Sequence, residues 1–452
     1  MKLRFIMATA AAGALLLSGC GGDATNGDVD ATPDAPPVEA TDDAEPGEPA
    51  EEPAEDAEPV TLTFWHNSTT GPGAEYWEDT TAKFTDEHPH VTFDIQVIQN
   101  EDMDGRLQTA INAGDSPDIY MARGGGKLAD IVDAGQVKDL TDVIDPEVME
   151  AYGDAVFQAF TIDGRIYSIP NSILPGGIFY SQDLFDEAGI EGTPSTMEEL
   201  IEAADALKAA GFEPIALGGQ DAWPAAHWYY FFVLRTCSQD VINEAGASMD
   251  FSDPCWVEAG EHLQEFADAE PFNQGFLTTS AQQGAGSSAG MLANHVAGME
   301  LMGAWNVGVI AGLTPDEEPL PDLGWFPFPE VPGGAGAPSA MMGGADGYAC
   351  AVDAPDECVE FLNFTANVEN QEAYAIAFNT LPANTQAQGV IEDPAMLDIL
   401  EAYGNADYMM LWLDTLLGQN VGNALNGGVV DMLAGQGTPE DIVSAVESAA
   451  SR

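Results

Sequence analysis

The chain has 452 residues, 76 of them acidic and only 11 basic, for a formal net charge of −65. A surface with that field repels nucleic acid and anionic lipid, so neither is a direct ligand. The acidic excess runs through the whole sequence, and the short Debye length of strong brine would screen its self-repulsion, which points to a halophilic source.

Lys2 and Arg4 precede an apolar run from Phe5 to Leu17 that is too short to span a membrane. It ends in Leu17-Ser18-Gly19-Cys20, small residues before a cysteine, the pattern of a lipobox. Residues 1–19 therefore read as a signal peptide and Cys20 as the lipidation site, a diacylglyceryl group supplying the second chain that stable anchoring needs. Residues 21–59 hold no Lys or Arg and are dense in Asp, Glu, Pro, Ala and Gly, as in Glu48-Pro49-Ala50-Glu51-Glu52-Pro53. Such a segment cannot bury enough apolar surface to fold. With Cys20 it is expected to be a disordered acidic tether over 20–59, with a flexible-chain span of about 35 Å. The expected location is the extracellular face of the cell membrane, reached through the lipid. No later stretch is apolar and long enough to cross a bilayer.

Residues 60–452 exceed what one hydrophobic core usually serves, so two lobes are expected. The β-branched and aromatic run Val60 to His66 predicts a strand, followed by a helix from Glu75 to about Glu87. A strand over 91–98, a helix near 103–113, a strand over 118–121 and a helix over 127–134 come next. This alternation is an α/β pattern. Asp163-Gly164 reads as a tight turn, with extended segments at 166–169 and 177–180. Ser195-Thr196-Met197-Glu198 reads as a capping box for a helix to Ala210 that Gly211 stops. A strand over 212–217 and an aromatic-rich helix over 223–235 follow, then Gly-rich loops at 282–290 and 332–347 and two or three helices after Asp407.

With Cys20 assigned to lipid, Cys237, Cys255, Cys350 and Cys358 remain, an even number for an oxidising compartment. Three pairings are possible. The local ones, Cys237 with Cys255 and Cys350 with Cys358, are favoured because each closes a short polar loop. Neither pair has the two-to-four-residue gap of a zinc site.

The order of segments resembles the family 1 extracellular solute-binding proteins, the sugar-capturing components of ABC importers. The resemblance rests on Ser116-Pro117-Asp118-Ile119-Tyr120, Asp163-Gly164-Arg165-Ile166-Tyr167-Ser168-Ile169-Pro170 and Phe179-Tyr180-Ser181-Gln182-Asp183-Leu184-Phe185. Gly303-Ala304-Trp305, Phe361-Leu362-Asn363-Phe364 with Asn370-Gln371, and Leu381-Pro382-Ala383-Asn384 complete it. Gly124-Gly125-Gly126-Lys127, Asp221-Ala222-Trp223-Pro224 and Leu411-Trp412-Leu413-Asp414 are similar to the subgroup that takes up xylobiose, chitobiose and other β-linked oligosaccharides. The resemblance implies a type II periplasmic-binding-protein-like fold, with two α/β lobes joined by a hinge and the ligand in the cleft between them. Lobe 1 would take 60–171 and 346–385, and lobe 2 would take 172–345 and 386–452. It also implies a membrane permease as partner. The chain is expected to act as a monomer, without cofactor or metal.

A sugar ring has an apolar C–H face and an edge of hydroxyls, so its site needs aromatic rings and polar groups. Trp305, between small Ala304 and polar Asn306, is the first candidate, and the resemblance also places a tryptophan over the ligand there. Trp223, Trp228 and Trp412 follow. His66 and Asn67, at the end of the first strand, stand where α/β sheets bind ligands. Arg123 is singled out because basic residues are so scarce, and Asp221, Asp346 and Asp414 complete the set.

Enzyme patterns fare worse. Gly286-Ser287-Ser288-Ala289-Gly290 fits the G-x-S-x-G elbow but lacks the apolar strand that motif requires. Gly124-Gly125-Gly126-Lys127 is no phosphate loop, since Met121 and Leu128 stand where Gly and Ser or Thr are needed. His88 and His90 have no third ligand nearby and read as surface residues. The alternative function is a secreted carbohydrate-active hydrolase using a carboxylate pair; a structural surface protein would have neither ligand nor cleft.

Overall fold

The computed structural model describes residues 58–69 and 71–451. The expected signal peptide, Cys20 and the tether as far as residue 57 lie outside the described residues. The described residues form one compact unit, and no helix among them is long and apolar enough to cross a membrane.

The strands, in chain order, are β1 (Val60–His66), β2 (Val91–Val97), β3 (Ile119–Ala122), β4 (Thr161–Ile162), β5 (Arg165–Ile166) and β6 (Ile169–Ser181). They continue with β7 (Glu213–Ala216), β8 (Ala297–Gly303), β9 (Leu323–Phe326), β10 (Met341–Cys350), β11 (Leu381–Pro382) and β12 (Met409–Leu411). In β1 the period of two holds, since Leu62, Phe64 and His66 are buried while their neighbours are less so. The main sheet runs β2-β1-β3-β10-β6-β8-β7, with β9 and β11 also on β6 and β12 on β10. β1 pairs in parallel with β2 and β3, and the sheet turns antiparallel at β10 and β6. The Asp163-Gly164 turn joins β4 to β5 with φ of 51° and 78°, the left-handed pair that a two-residue hairpin requires.

β6 and β10 pass through both lobes. On one side lies a core built from Leu62, Phe64, Trp77, Ile119, Tyr120 and Phe361. On the other lies a core with Ile178, Leu200, Trp228, Phe231, Met299 and Leu425. A third cluster, including Phe179, Leu292, Met302 and Met396, extends the second side. The fold is thus α/β with two lobes, as expected.

Several local expectations need correction. The segment at 177–180 lies inside the 13-residue strand β6, which starts already at Ile169 and accommodates Pro170 and Pro175, while the segment at 166–169 is split between the end of β5 at Ile166 and the start of β6. The predicted loop 332–347 ends in β10, since Gly343 and Gly344 are strand residues chosen for close approach. A Cβ on Gly343 would lie 2.8 Å from the Leu174 carbonyl oxygen, and one on Gly344 2.8 Å from the Trp412 ring. Similarly, 288–290 begin the helix Ser288–Ala293. The helix cap sits one residue later: the Thr196 hydroxyl accepts from the Glu199 N–H, and the Glu199 carboxylate accepts from the N–H and hydroxyl of Ser195, the residue before the cap.

Both local disulfides are present. Cys237 and Cys255, with Cα atoms 5.3 Å apart, tie the end of the helix Trp223–Thr236 to the start of Cys255–Asp268. Cys350 at the end of β10 joins Cys358 of the helix Asp356–Ala366, with Cα atoms 6.1 Å apart. Arg235, 3 % exposed, pairs with no carboxylate among the described residues; its guanidinium donates to the carbonyls of Phe328, Pro329, Ala337 and Ala340 and pins that loop.

Candidate functional site

Two groups of side chains meet where the lobes touch. The first is aromatic. Trp305 follows β8 at the start of the helix Asn306–Ala311, with its ring folded back over Gly303, where any Cβ would collide with it. Its ring centroid lies 6.0 Å from Trp223, 6.2 Å from His227 and 5.9 Å from Trp412. His227 stacks on Trp412 at 4.1 Å and 10°. Trp412 is seated by its backbone N–H, which donates to the Gly343 carbonyl of β10. Trp305 and Trp223 are part-exposed, whereas Trp412 is 6 % exposed.

The second group is charged. Arg123, just past β3, donates to Asp104 at 3.2 Å and Asn100 at 2.6 Å and stands 3.6 Å from Asp346. Asn67 donates to the same Asn100 oxygen at 3.2 Å. Lys127 reaches Asp104 at 3.0 Å and Asp414 at 3.3 Å. Two cations face three carboxylates here. Burial alone would push the Asp104 carboxyl up, but Arg123 and Lys127 more than offset it and hold it at about 2. Asp346 goes the other way, because its burial is only partly offset by Arg123. Burial opposes the charge of Lys127 as well, and Asp414 and Asp104 outweigh it, raising its pKa.

The segment 412–414 belongs to both groups, Trp412 to the aromatic one and Asp414 to the charged one. Glycines make that meeting close. A Cβ on Gly125 would come within 2.9 Å of the Thr415 carbonyl oxygen, and one on Gly126 within 2.6 Å of that of Leu416. The helix Gly125–Asp133 therefore presses its first turn directly against the segment after Trp412.

Of the residues predicted from sequence, Trp305, Trp223, Trp412, Asn67, Arg123, Asp346 and Asp414 come together in this way. Trp228 does not. It is 0 % exposed, stacked on Phe266 and edged by Phe272 and Phe328, and so is a core residue with no face to offer a ligand. His66 is likewise withdrawn, 1 % exposed against Phe64 and Trp77, with Nδ1 accepting from the Ser68 N–H. Burial lowers its pKa to about 4, so it stays neutral. Asp221 spends one oxygen on the Ala281 N–H at 2.7 Å, a loop contact outside the charged group.

Sequence reasoning passed over Asn100, Asp104, Lys127 and His227. The scarcity argument used for Arg123 applies equally to Lys127. His227 had a signal in its helical spacing of four from Trp223; its ring, 3 % exposed, is brought to about 3 by burial, which Asp414 offsets in part. Ser288, the would-be nucleophile, donates to the Ala281 carbonyl inside the fold. Asp183, His295 and Asp322 form a group of possible metal ligands. There the Asp322 carboxylate accepts from the Ser181 hydroxyl and the Asp183 N–H at the start of the helix Gln182–Ala188, and its partner His295 Nε2 lies 3.0 Å away.

A family model described as bacterial extracellular solute-binding protein matches residues 66–372. A Brucella abortus (strain 2308) protein described as a binding protein is 27 % identical over 214 residues, 47 % of this chain. The chain spans about half, 51 %, of that relative's length. Among solved structures, one from work on xylan utilization by Caldanaerobius polysaccharolyticus aligns with a TM-score of 0.79 at 24 % identity, covering 86 % of this chain and 99 % of that one. A chitin oligosaccharide binding protein aligns with a TM-score of 0.76 at 24 % identity, covering 87 % and 98 %. At that identity the likeness is one of fold.

Proposed function

The chain belongs to the bacterial extracellular solute-binding proteins, and on that premise we propose that it captures an oligosaccharide between its lobes and delivers it to the permease of an ABC importer. Lobe 1 takes 60–171 and 346–385, and lobe 2 takes 172–345 and 386–452. A β-linked di- or oligosaccharide is the ligand class, and lipid on Cys20 holds the protein, as a monomer, at the outer face of the membrane.

The observation that carries this reading is the joint between the two groups. The part-exposed Trp305 and Trp223 offer indole faces for the C–H side of sugar rings, backed by the buried Trp412, and the carboxylates and amides of Asp346, Asp414 and Asn67 suit hydroxyls. Because 412–414 contributes to both, closing the lobes would bring stacking and hydrogen bonding onto one ligand together. The Lys127 to Asp414 pair, at 3.3 Å, would break on opening and re-form on closing. A hydrolase would instead need one carboxylic acid raised for proton donation beside a free base or nucleophile. Asp346 is raised by its burial, but its neighbour Asp104 is held ionised by two cations and is not a free base or nucleophile.

Calorimetric titration of the folded domain with xylobiose, chitobiose and an α-linked disaccharide tests the proposal. Binding of a β-linked sugar with no released monosaccharide is expected. Turnover of the sugar would favour the hydrolase, and no heat with any sugar would remove the proposal.

A further inference from the structure

Next to Trp305 lies a buried polar pair that sugar contact does not explain. β8 reads Ala297-Gly298-Met299-Glu300-Leu301-Met302-Gly303, and Glu300, its only charged residue, is 1 % exposed. Asn306, the residue after Trp305, is 0 % exposed and donates Nδ2 to Glu300 Oε2 at 2.7 Å. The remaining oxygens, Glu300 Oε1 and Asn306 Oδ1, are both buried without a hydrogen-bond partner.

A carboxylate would leave both acceptors unpaired and a charge buried without a cation, an expensive arrangement. A carboxylic acid resolves both defects together. Its carbonyl oxygen accepts from the amide N–H while its hydroxyl donates to the amide oxygen, two parallel bonds between complementary groups. The surroundings bring no compensating charge. Phe179 of β6 and Ala216 of β7 stand opposite Glu300 in register. From the helix Ser288–Ala293 comes the Ser288 hydroxyl, whose proton goes to the Ala281 carbonyl; the Ala281 N–H in turn reaches Asp221, a carboxylate. The helix Trp223–Thr236 carries neutral His227 and Arg235, and the latter is consumed by carbonyls of 328–340. Burial raises the Glu300 carboxyl to about 7, and the neighbouring Ser288 hydroxyl and the Asn306 amide pull it down only in part.

We propose that Glu300 is a positioning residue that works as a neutral acid, locking Asn306 through two hydrogen bonds and thereby holding Trp305 in place for ligand. Ionisation turns Oε1 and Oδ1 into two facing acceptors, the pair opens, and the turn that carries the indole loosens. Capture should then weaken as pH rises through neutrality. Only this last step rests on the sugar reading; the acid–amide pair stands without it.

The decisive variant is Glu300→Gln, whose carboxamide reproduces both bonds with no proton to lose. Infrared spectra of the ligand-free domain should show a protonated-carboxyl stretch at about pH 6 that is missing in Glu300→Gln and is lost from the wild type by about pH 8.5. Tryptophan emission should shift over the same range in the wild type but not in Glu300→Gln or Trp305→Phe. As a second probe, Asn306→Ala removes both partners of the acid, and the carboxyl stretch should move. With xylobiose as the ligand probe, wild-type affinity should fall about tenfold across that range, the equivalent of roughly one hydrogen bond, and stay level in Glu300→Gln. The proposal is overturned if wild type and Glu300→Gln share the same carboxyl spectrum at about pH 6, if the stretch ignores Asn306→Ala, or if the emission shift persists in Trp305→Phe. If xylobiose binds neither protein, the sugar reading fails, and the ligand-free spectra alone decide the pair.

Discussion

Trp305→Ala separates a ligand-facing ring from a core ring. The indole is part-exposed and has ring neighbours at 6.0, 6.2 and 5.9 Å in Trp223, His227 and Trp412. Aromatic pairs contribute about 0.5–1.5 kcal/mol each, and at these tilted separations a loss of about 1–2 kcal/mol of folding stability is expected in total. The ligand loses more, since covering an aromatic face is worth about 1.5–3 kcal/mol. That corresponds to a roughly 10-fold to 150-fold weaker dissociation constant. Trp228→Ala supplies the contrast: its ring is fully buried, so the cavity left behind should cost about 3–5 kcal/mol of stability, with affinity unchanged while the protein stays folded. Thermal melting without ligand and calorimetry with xylobiose, run on both variants, give the two numbers needed. If Trp305→Ala melts as early as Trp228→Ala and binds as tightly as the wild type, Trp305 belongs to the core and the site is misplaced.

Screening of the −65 charge should raise the melting midpoint between about 0.1 M and about 2 M NaCl, and an unchanged or lower midpoint refutes the brine reading. Reducing Cys237–Cys255, which closes a separation of 18 residues, should cost about 3 kcal/mol by chain entropy; denaturant melts with and without reductant measure it. Acid should destabilise the fold below about pH 6.5. His66 and His227 have folded pKa values of about 4 and about 3 against 6.5, so the unfolded chain gains protons there first and stability is lost as pH falls. Glu300, raised to about 7, works in the opposite sense between about 4.5 and 7, but two histidines outweigh it. His227→Phe, which keeps the ring on Trp412, should flatten the slope of midpoint against pH, and an unaltered slope contradicts the assignment. Lys127→Met leaves Asp104 and Asp414 without their shared cation and should lower stability by about 1–3 kcal/mol, measured by melting.

The sequence was most legible where periodicity and turn chemistry act locally. β1 was bounded to the residue because buried and more open positions alternate along it, and the tight turn read at Asp163-Gly164 is the one that joins β4 to β5. Reading failed where a residue's role depends on a neighbour far away in the chain. Gly343 and Gly344 looked like loop because composition does not reveal that Leu174 and Trp412 press on them from other segments. Both Trp228 and Trp305 are candidate rings by residue type, and only packing separates them: the helix Trp223–Thr236 is buried from Pro224 onward, with Trp228 stacked on Phe266 in the core and Trp223 and His227 set against Trp305. Glu300 did carry a signal, a single carboxylate in an otherwise apolar seven-residue run, and so did Lys127, a rare cation in an acidic chain.

Capture without conversion is the central claim, and recovery of the bound sugar tests it most directly. The domain is saturated with xylobiose or chitobiose, freed of excess by dialysis and denatured, and the released sugar is identified and counted by mass spectrometry. The account predicts one intact disaccharide per chain, lowered in parallel by Trp305→Ala. Monosaccharide products, or no sugar retained with any β-linked disaccharide, would contradict it.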